Sequence, residues 1–155
     1  MKSKVYLETT IVSYLVASPT QDFVQAAHQE VTREWWARRE RFDLFVSRPV
    51  LAEARRGDTT AAARRLDALA GMPLLAMNRA GTTLATTLIR TGTLPTKARL
   101  DALHVATAAV NGMDYLSHGT CGISRTPRFG KIEDVCRSAG VQPPIICRPE
   151  ELMEA

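Results

Sequence analysis

The chain predicts a three-layer α/β/α sandwich built on a parallel sheet, and three observations carry that reading. Short β-prone runs alternate with amphipathic stretches of helical length, the mark of repeated strand–helix units. At 155 residues and 45% hydrophobic content the chain supplies one well-packed core, so residues 1–155 read as a single domain. No internal repeat, linker or low-complexity segment interrupts the alternation.

Val5-Tyr6-Leu7 is the first strand and ends in Glu8, with Thr9-Thr10 placed to cap the helix marked by Ile11, Tyr14 and Leu15. From Thr20 to Arg39 the pattern predicts a long amphipathic helix, Phe23, Ala26, Ala27, Val31 and Trp35 inward and charge outward. Asp43 to Ser47 is the second strand. Pro49 opens the next helix, with Val50, Leu51 and Ala54 inward and Glu53 close to its first turn. The Gly57-Asp58 turn leads into a helix from Thr59 to Ala70. Met72 to Ala76 is the third strand, followed by a helix from Asn78 to Arg90. Gly92 and Pro95 break the chain before a helix through Leu100 to Ala109, which stops at Asn111-Gly112. Met113 to Leu116 is a strand, Pro127 to Ala139 contains a helix, and Pro144 to Cys147 is an edge strand before a polar tail.

The formal charge of +4 mildly favours an anionic partner such as RNA or DNA. The bias is weak, and the clusters Arg38-Arg39-Glu40-Arg41 and Arg64-Arg65 read first as solvated helix faces. Cys121, Cys136 and Cys147 are odd in number and form no Cys-x-x-Cys pair, which argues against a disulfide framework or a zinc site and for reduced thiols. Met1 to Glu8 lacks the apolar run of a signal peptide and no later segment is long and apolar enough to span a bilayer, so the expected location is the cytoplasm with no membrane contact.

The chemistry points to acids. Asp101 sits on a helix that is otherwise Ala, Leu and Val, where an unpaired carboxylate is costly, so it needs a metal ion, a basic side chain or a helix-terminal amide. Glu8 directly follows the first strand, Glu53 lies in the helix after the second, and Asp101 stands near the start of a later one. In a parallel sheet all three can meet at the carboxyl edge, where ligands bind. Such a cluster suits hard divalent cations and metal-assisted phosphodiester hydrolysis. Each acid alone also reads as a helix N-terminal residue favoured by the macrodipole.

Taken together, Tyr6-Leu7-Glu8-Thr9-Thr10-Ile11 with Ser13-Tyr14-Leu15, Val50-Leu51-Ala52-Glu53, Asp101-Ala102-Leu103-His104-Val105-Ala106 and Gly112-Met113-Asp114-Tyr115-Leu116 resemble the PIN-domain family, most closely the VapC-type toxins of type II toxin–antitoxin systems. The resemblance covers essentially the whole chain. It implies a five-stranded parallel sheet, an acidic pocket for Mg²⁺ or Mn²⁺, endoribonuclease activity on single-stranded RNA, a homodimer and a cognate antitoxin that blocks the pocket. It places Glu8, Glu53 and Asp101 as the catalytic metal ligands, with the Thr10 hydroxyl beside Glu8. The chain departs from the family pattern in having Glu rather than Asp first. It departs again after Leu116, where Thr120 stands at the place of the usual fourth acid or amide.

His118 reads as a substitute ligand, a phosphate contact or a plain loop histidine. His104, three residues beyond Asp101, reads as a donor that orients that carboxylate or as a histidine satisfied in the pocket wall. Lys97 and Arg99 flank Asp101, and Arg125 and Arg128 border the crevice, so all four are candidate RNA contacts. His28 reads as solvated, and Trp35 as core rather than as a base-stacking platform. Two alternatives remain: a catalytically degenerate PIN domain that binds protein or RNA, and an unrelated nucleotide-binding α/β domain. The second is disfavoured by the lack of a Gly-rich phosphate loop.

Overall fold

The apolar runs pair side by side, all in parallel. In a computed structural model, which describes residues 1–119 and 128–155, the strands are β1 (Ser3–Leu7), β2 (Phe42–Ser47), β3 (Leu74–Leu75), β4 (Tyr115–Ser117) and β5 (Ile145–Cys147), and they form one sheet in the order β3-β2-β1-β4-β5. β1 is central, registering Tyr6 against Phe45 on one side and Leu116 on the other. Its Val5, Tyr6 and Leu7 are completely buried, as continuous apolar strands in a covered parallel sheet should be.

The helices are α1 (Thr9–Val16), α2 (Phe23–Ala37), α3 (Arg48–Ala54), α4 (Thr59–Leu69), α5 (Arg79–Arg90), α6 (Arg99–Val110), α7 (Arg128–Ser138) and α8 (Pro149–Met153). α5, α6 and α7 pack together, while α1 packs with α2, α3 and α4, and α2 with α8. The result is the expected α/β/α sandwich. Several starts are fixed by short polar caps: Asp22, Ser47, Asp58 and Asn78 each accept an amide from the first turn that follows. α6 ends at Asn111 and Gly112, whose φ of 68° only glycine adopts without strain.

Four expectations are corrected. Glu8, not Thr9 or Thr10, caps α1, because its extended backbone lets its own carboxylate accept the Thr10 amide. The buried face of α2 is Gln29, Thr32 and Trp35, while Phe23 is 91% exposed and Ala27 is exposed. The two polar members of that face are satisfied locally, Gln29 donating to the Ser18 carbonyl and Thr32 to that of His28. His28 is half-buried against the Tyr14 ring rather than simply solvated. The polar tail contains α8, held by the Glu151 carboxylate, which accepts the Arg148 amide at 2.8 Å, and by buried Leu152.

Some of the basic residues prove structural. Arg39 stacks over Trp36, and Arg65 donates to the carbonyls of Ala54 and Arg56. Cys136 and Cys147 are buried free thiols, pushed up to about 11 and about 12 by burial; Cys121 lies outside the described residues. No helix among the described residues is long and apolar enough to cross a membrane.

Candidate metal centre

Strand order reverses between β1 and β4, with β2 and β3 to one side of β1 and β5 beyond β4. At such a reversal the connections from neighbouring parallel strands generally run to opposite faces of the sheet, and ligands bind beyond the carboxyl ends. Glu8 is the first residue past β1, and its amide donates to the Ser117 carbonyl at 3.1 Å, so it sits at the carboxyl edge between β1 and β4.

The Glu8 carboxylate is firmly held. Its Oε2 accepts the Thr10 amide at 3.0 Å and the Thr10 hydroxyl. Thr10 Oγ1 in turn accepts the Gly119 amide at 2.7 Å, tying the start of α1 to the chain beyond β4. From that same segment His118 brings Nε2 to 3.5 Å from Glu8 Oε2. His118 is therefore half-buried beside Glu8 rather than on the open surface of the loop.

Gly119 is needed for this approach. A Cβ there would lie 2.8 Å from the Tyr14 ring and 2.9 Å from Thr10 Oγ1, closer than real contacts allow. Gly119→Ala is expected to destabilise the fold by about 1–3 kcal/mol through overpacking. Chemical denaturation checks this. An unchanged midpoint would mean that the Thr10 and Tyr14 side chains move aside freely.

Glu53 lies in the last turn of α3, not near its first as expected, because α3 ends at Ala54. Its Oε1 is 2.9 Å from Nε2 of His104, which is buried on α6. The imidazole thus serves Glu53 rather than Asp101, and its other nitrogen explains why. Nδ1 lies 2.7 Å from the Tyr6 hydroxyl, which fixes the ring toward β1 and α3.

Asp101, in the first turn of α6, is half-buried and makes no hydrogen bond or ion pair among the described residues. Its carboxyl is raised above the usual range, chiefly by burial. His118 pulls it down, Glu8 pushes it up, His104 pulls it down and Glu53 pushes it up, in that order of size.

Glu8, Glu53 and His104 each offer a ligand atom, and all lie within 4.8 Å of one another. Opposite ligands on an octahedral Mg²⁺ stand about 4.2 Å apart, so this spacing and a carboxylate-rich donor set fit a divalent cation. Asp101 stands outside that tight group yet feels the charge of each member.

The remaining candidates are spread more widely. Lys97 is exposed in the turn Thr96–Ala98, and Arg99 is exposed at the start of α6, where it lines a groove with Arg90 and Leu103. Arg128 opens α7. Thr120 and Arg125 lie outside the described residues. Tyr6 and Ser47 were not foreseen as part of the site. A signal existed for Tyr6, since strand alternation puts it on the same side as Glu8, and a buried phenol needs a partner. No family model matches the chain, and no curated protein matches it.

Proposed function

We propose that the chain is a metal-dependent endoribonuclease of the PIN type. The observation that carries this reading is Asp101, a half-buried carboxylate without a partner among the described residues, set in the fields of Glu8 and Glu53. A divalent cation is the one group that relieves all three acids together.

When bound, Mg²⁺ or Mn²⁺ would supply charge neutralisation at the phosphodiester and a water acidic enough to attack near neutral pH. The chain's own residues do the positioning. Thr10 and the Gly119 amide hold Glu8, His104 holds Glu53, and Asp101 keeps both oxygens available. Lys97 and Arg99, exposed beside the start of α6, offer positive charge to the RNA backbone. In keeping with the VapC-type toxins it resembles, the working unit would be a cytoplasmic homodimer silenced by a cognate antitoxin.

Incubation of the purified protein with a mixed single-stranded RNA pool should give Mn²⁺-dependent fragments that vanish with EDTA. Intact RNA in the presence of folded protein would reject the nuclease. One observation favours the alternative of a non-cutting binding domain: Glu8 and Glu53 each already face an imidazole nitrogen, so two of the acids have a partner without a cation. That domain would retain RNA or a protein partner in a pull-down while leaving the RNA whole.

A further inference from the structure

Four side chains from four elements form one closed hydrogen-bonded circuit. Ser47 ends β2 and caps α3, its Oγ accepting the Val50 amide at 3.4 Å. The same Oγ lies 2.6 Å from the Tyr6 hydroxyl on β1. Tyr6 reaches Nδ1 of His104 on α6 at 2.7 Å, and Nε2 of His104 reaches Glu53 at 2.9 Å, back on α3. Ser47, Tyr6 and His104 are all buried.

The donor inventory gives the circuit a direction. Ser47 and Tyr6 each own one proton, and an ionised Glu53 only accepts. With Ser47 donating to Tyr6, Tyr6 donating to Nδ1 and the imidazole proton on Nε2 donating to Glu53, every proton has an acceptor. Run the other way, the Ser47 proton has no acceptor among the interactions of the described residues.

We infer that Ser47 and Tyr6 hold His104 in its Nε2–H form, so that His104 is a positioning residue for Glu53 and not a metal ligand. This rests on the metal-dependent reading above. It deepens that reading by assigning ion selectivity: while its Nε2 carries a proton His104 cannot coordinate, which leaves the oxygens of Glu8, Glu53 and Asp101, the ligands named in that reading. Oxygen-only sets favour Mg²⁺ and Mn²⁺, whereas an available imidazole nitrogen favours Zn²⁺. Tyr6 and Ser47 therefore act at a distance on which ion the site takes. Losing such an outer partner typically weakens a metal site by about 10–100-fold.

The test is ¹⁵N NMR of the histidine rings in the full metal-free chain at pH 8, with His104→Gln to assign the His104 signals. It is paired with Mn²⁺ and Zn²⁺ binding by calorimetry. Wild type should show His104 protonated on Nε2 with a bare Nδ1. Tyr6→Phe, which keeps the ring and removes only the hydroxyl, should give a mixture of tautomers. It should also weaken Mn²⁺ by about tenfold and shift the Zn²⁺-to-Mn²⁺ preference toward Zn²⁺. His104→Gln keeps an N–H donor for Glu53 and should bind Mn²⁺ within a few-fold of wild type, whereas His104→Leu should not. A wild-type Nδ1–H tautomer, or unchanged Mn²⁺ affinity and selectivity in Tyr6→Phe, overturns the inference. An Nε2–H signature in a protein that binds no Mn²⁺ instead overturns the metal-dependent nuclease and leaves the circuit standing.

Discussion

Asp101→Asn is expected to lower Mn²⁺-dependent RNA cleavage by about a hundredfold or more, the scale of losing one preorganised electrostatic group, while making the metal-free fold more stable at neutral pH. The two effects share one cause. Asp101 carries a charge that its surroundings disfavour, first by burial and then by Glu8 and Glu53, against the pull of His118 and His104. The amide keeps the shape and drops the charge.

The sign of the pH dependence follows from the raised carboxyl. The native state holds the Asp101 proton more tightly than the unfolded chain does, whose aspartates titrate near about 3.9. The stabilisation from that proton is complete below the unfolded value and is lost as pH rises through the elevated native one. The asparagine variant has no such loss. Melting temperatures of both proteins in EDTA, taken from pH 4 to pH 8, should therefore diverge as pH increases, with the variant higher. Curves that converge on going up in pH would mean that Asp101 already has a cationic partner. An active variant would remove Asp101 from the chemistry altogether.

Trp35→Ala should be the costliest core change, at about 3–5 kcal/mol. The indole is fully buried on α2 and packs against the rings of Trp36 and Phe42. Its N–H makes no hydrogen bond among the described residues, so the ring acts through shape and apolar area. Trp35→Phe removes that buried orphan donor along with some area, and the two effects oppose each other. Denaturant titration should place Trp35→Phe much nearer to wild type than to Trp35→Ala. Equal losses would show that the indole N–H has a partner after all.

What could be read from the residues depended on how local the cause was. The strands were legible because buried parallel strands need only a short apolar run, as in Val5-Tyr6-Leu7. The starts of α4 and α5 were legible because Asp58 and Asn78 cap them from the adjacent position. The inner face of α2 was not, since Gln29 and Thr32 are buried with their polarity satisfied by main-chain carbonyls, and hydrophobic periodicity cannot register that. α8 escaped for a related reason: one turn of helix resting on Leu152 has too few residues to show a period.

At the site, Glu8, Glu53 and Asp101 stood out because acids just past strands or early in helices are expected at a carboxyl edge. The partner of His104 did not. Its neighbour along α6 is Asp101, but its hydrogen bonds run to Tyr6 and Glu53, residues that only the crossover topology brings near.

The central place of β1 governs when the protein can come into being during synthesis. β1 is made before the strands on either side of it, and one flank stays bare until Tyr115–Ser117 arrives to pair with it, while β5 must follow to cover β4. Contacts between such distant parts of a chain form late and slowly. Glu8 emerges well ahead of Asp101 and His118. A ribosome that stops early therefore releases an incomplete sheet with no assembled crevice. If the crevice cuts RNA, the cell making it is not exposed to that activity until β4 and β5 have both been made.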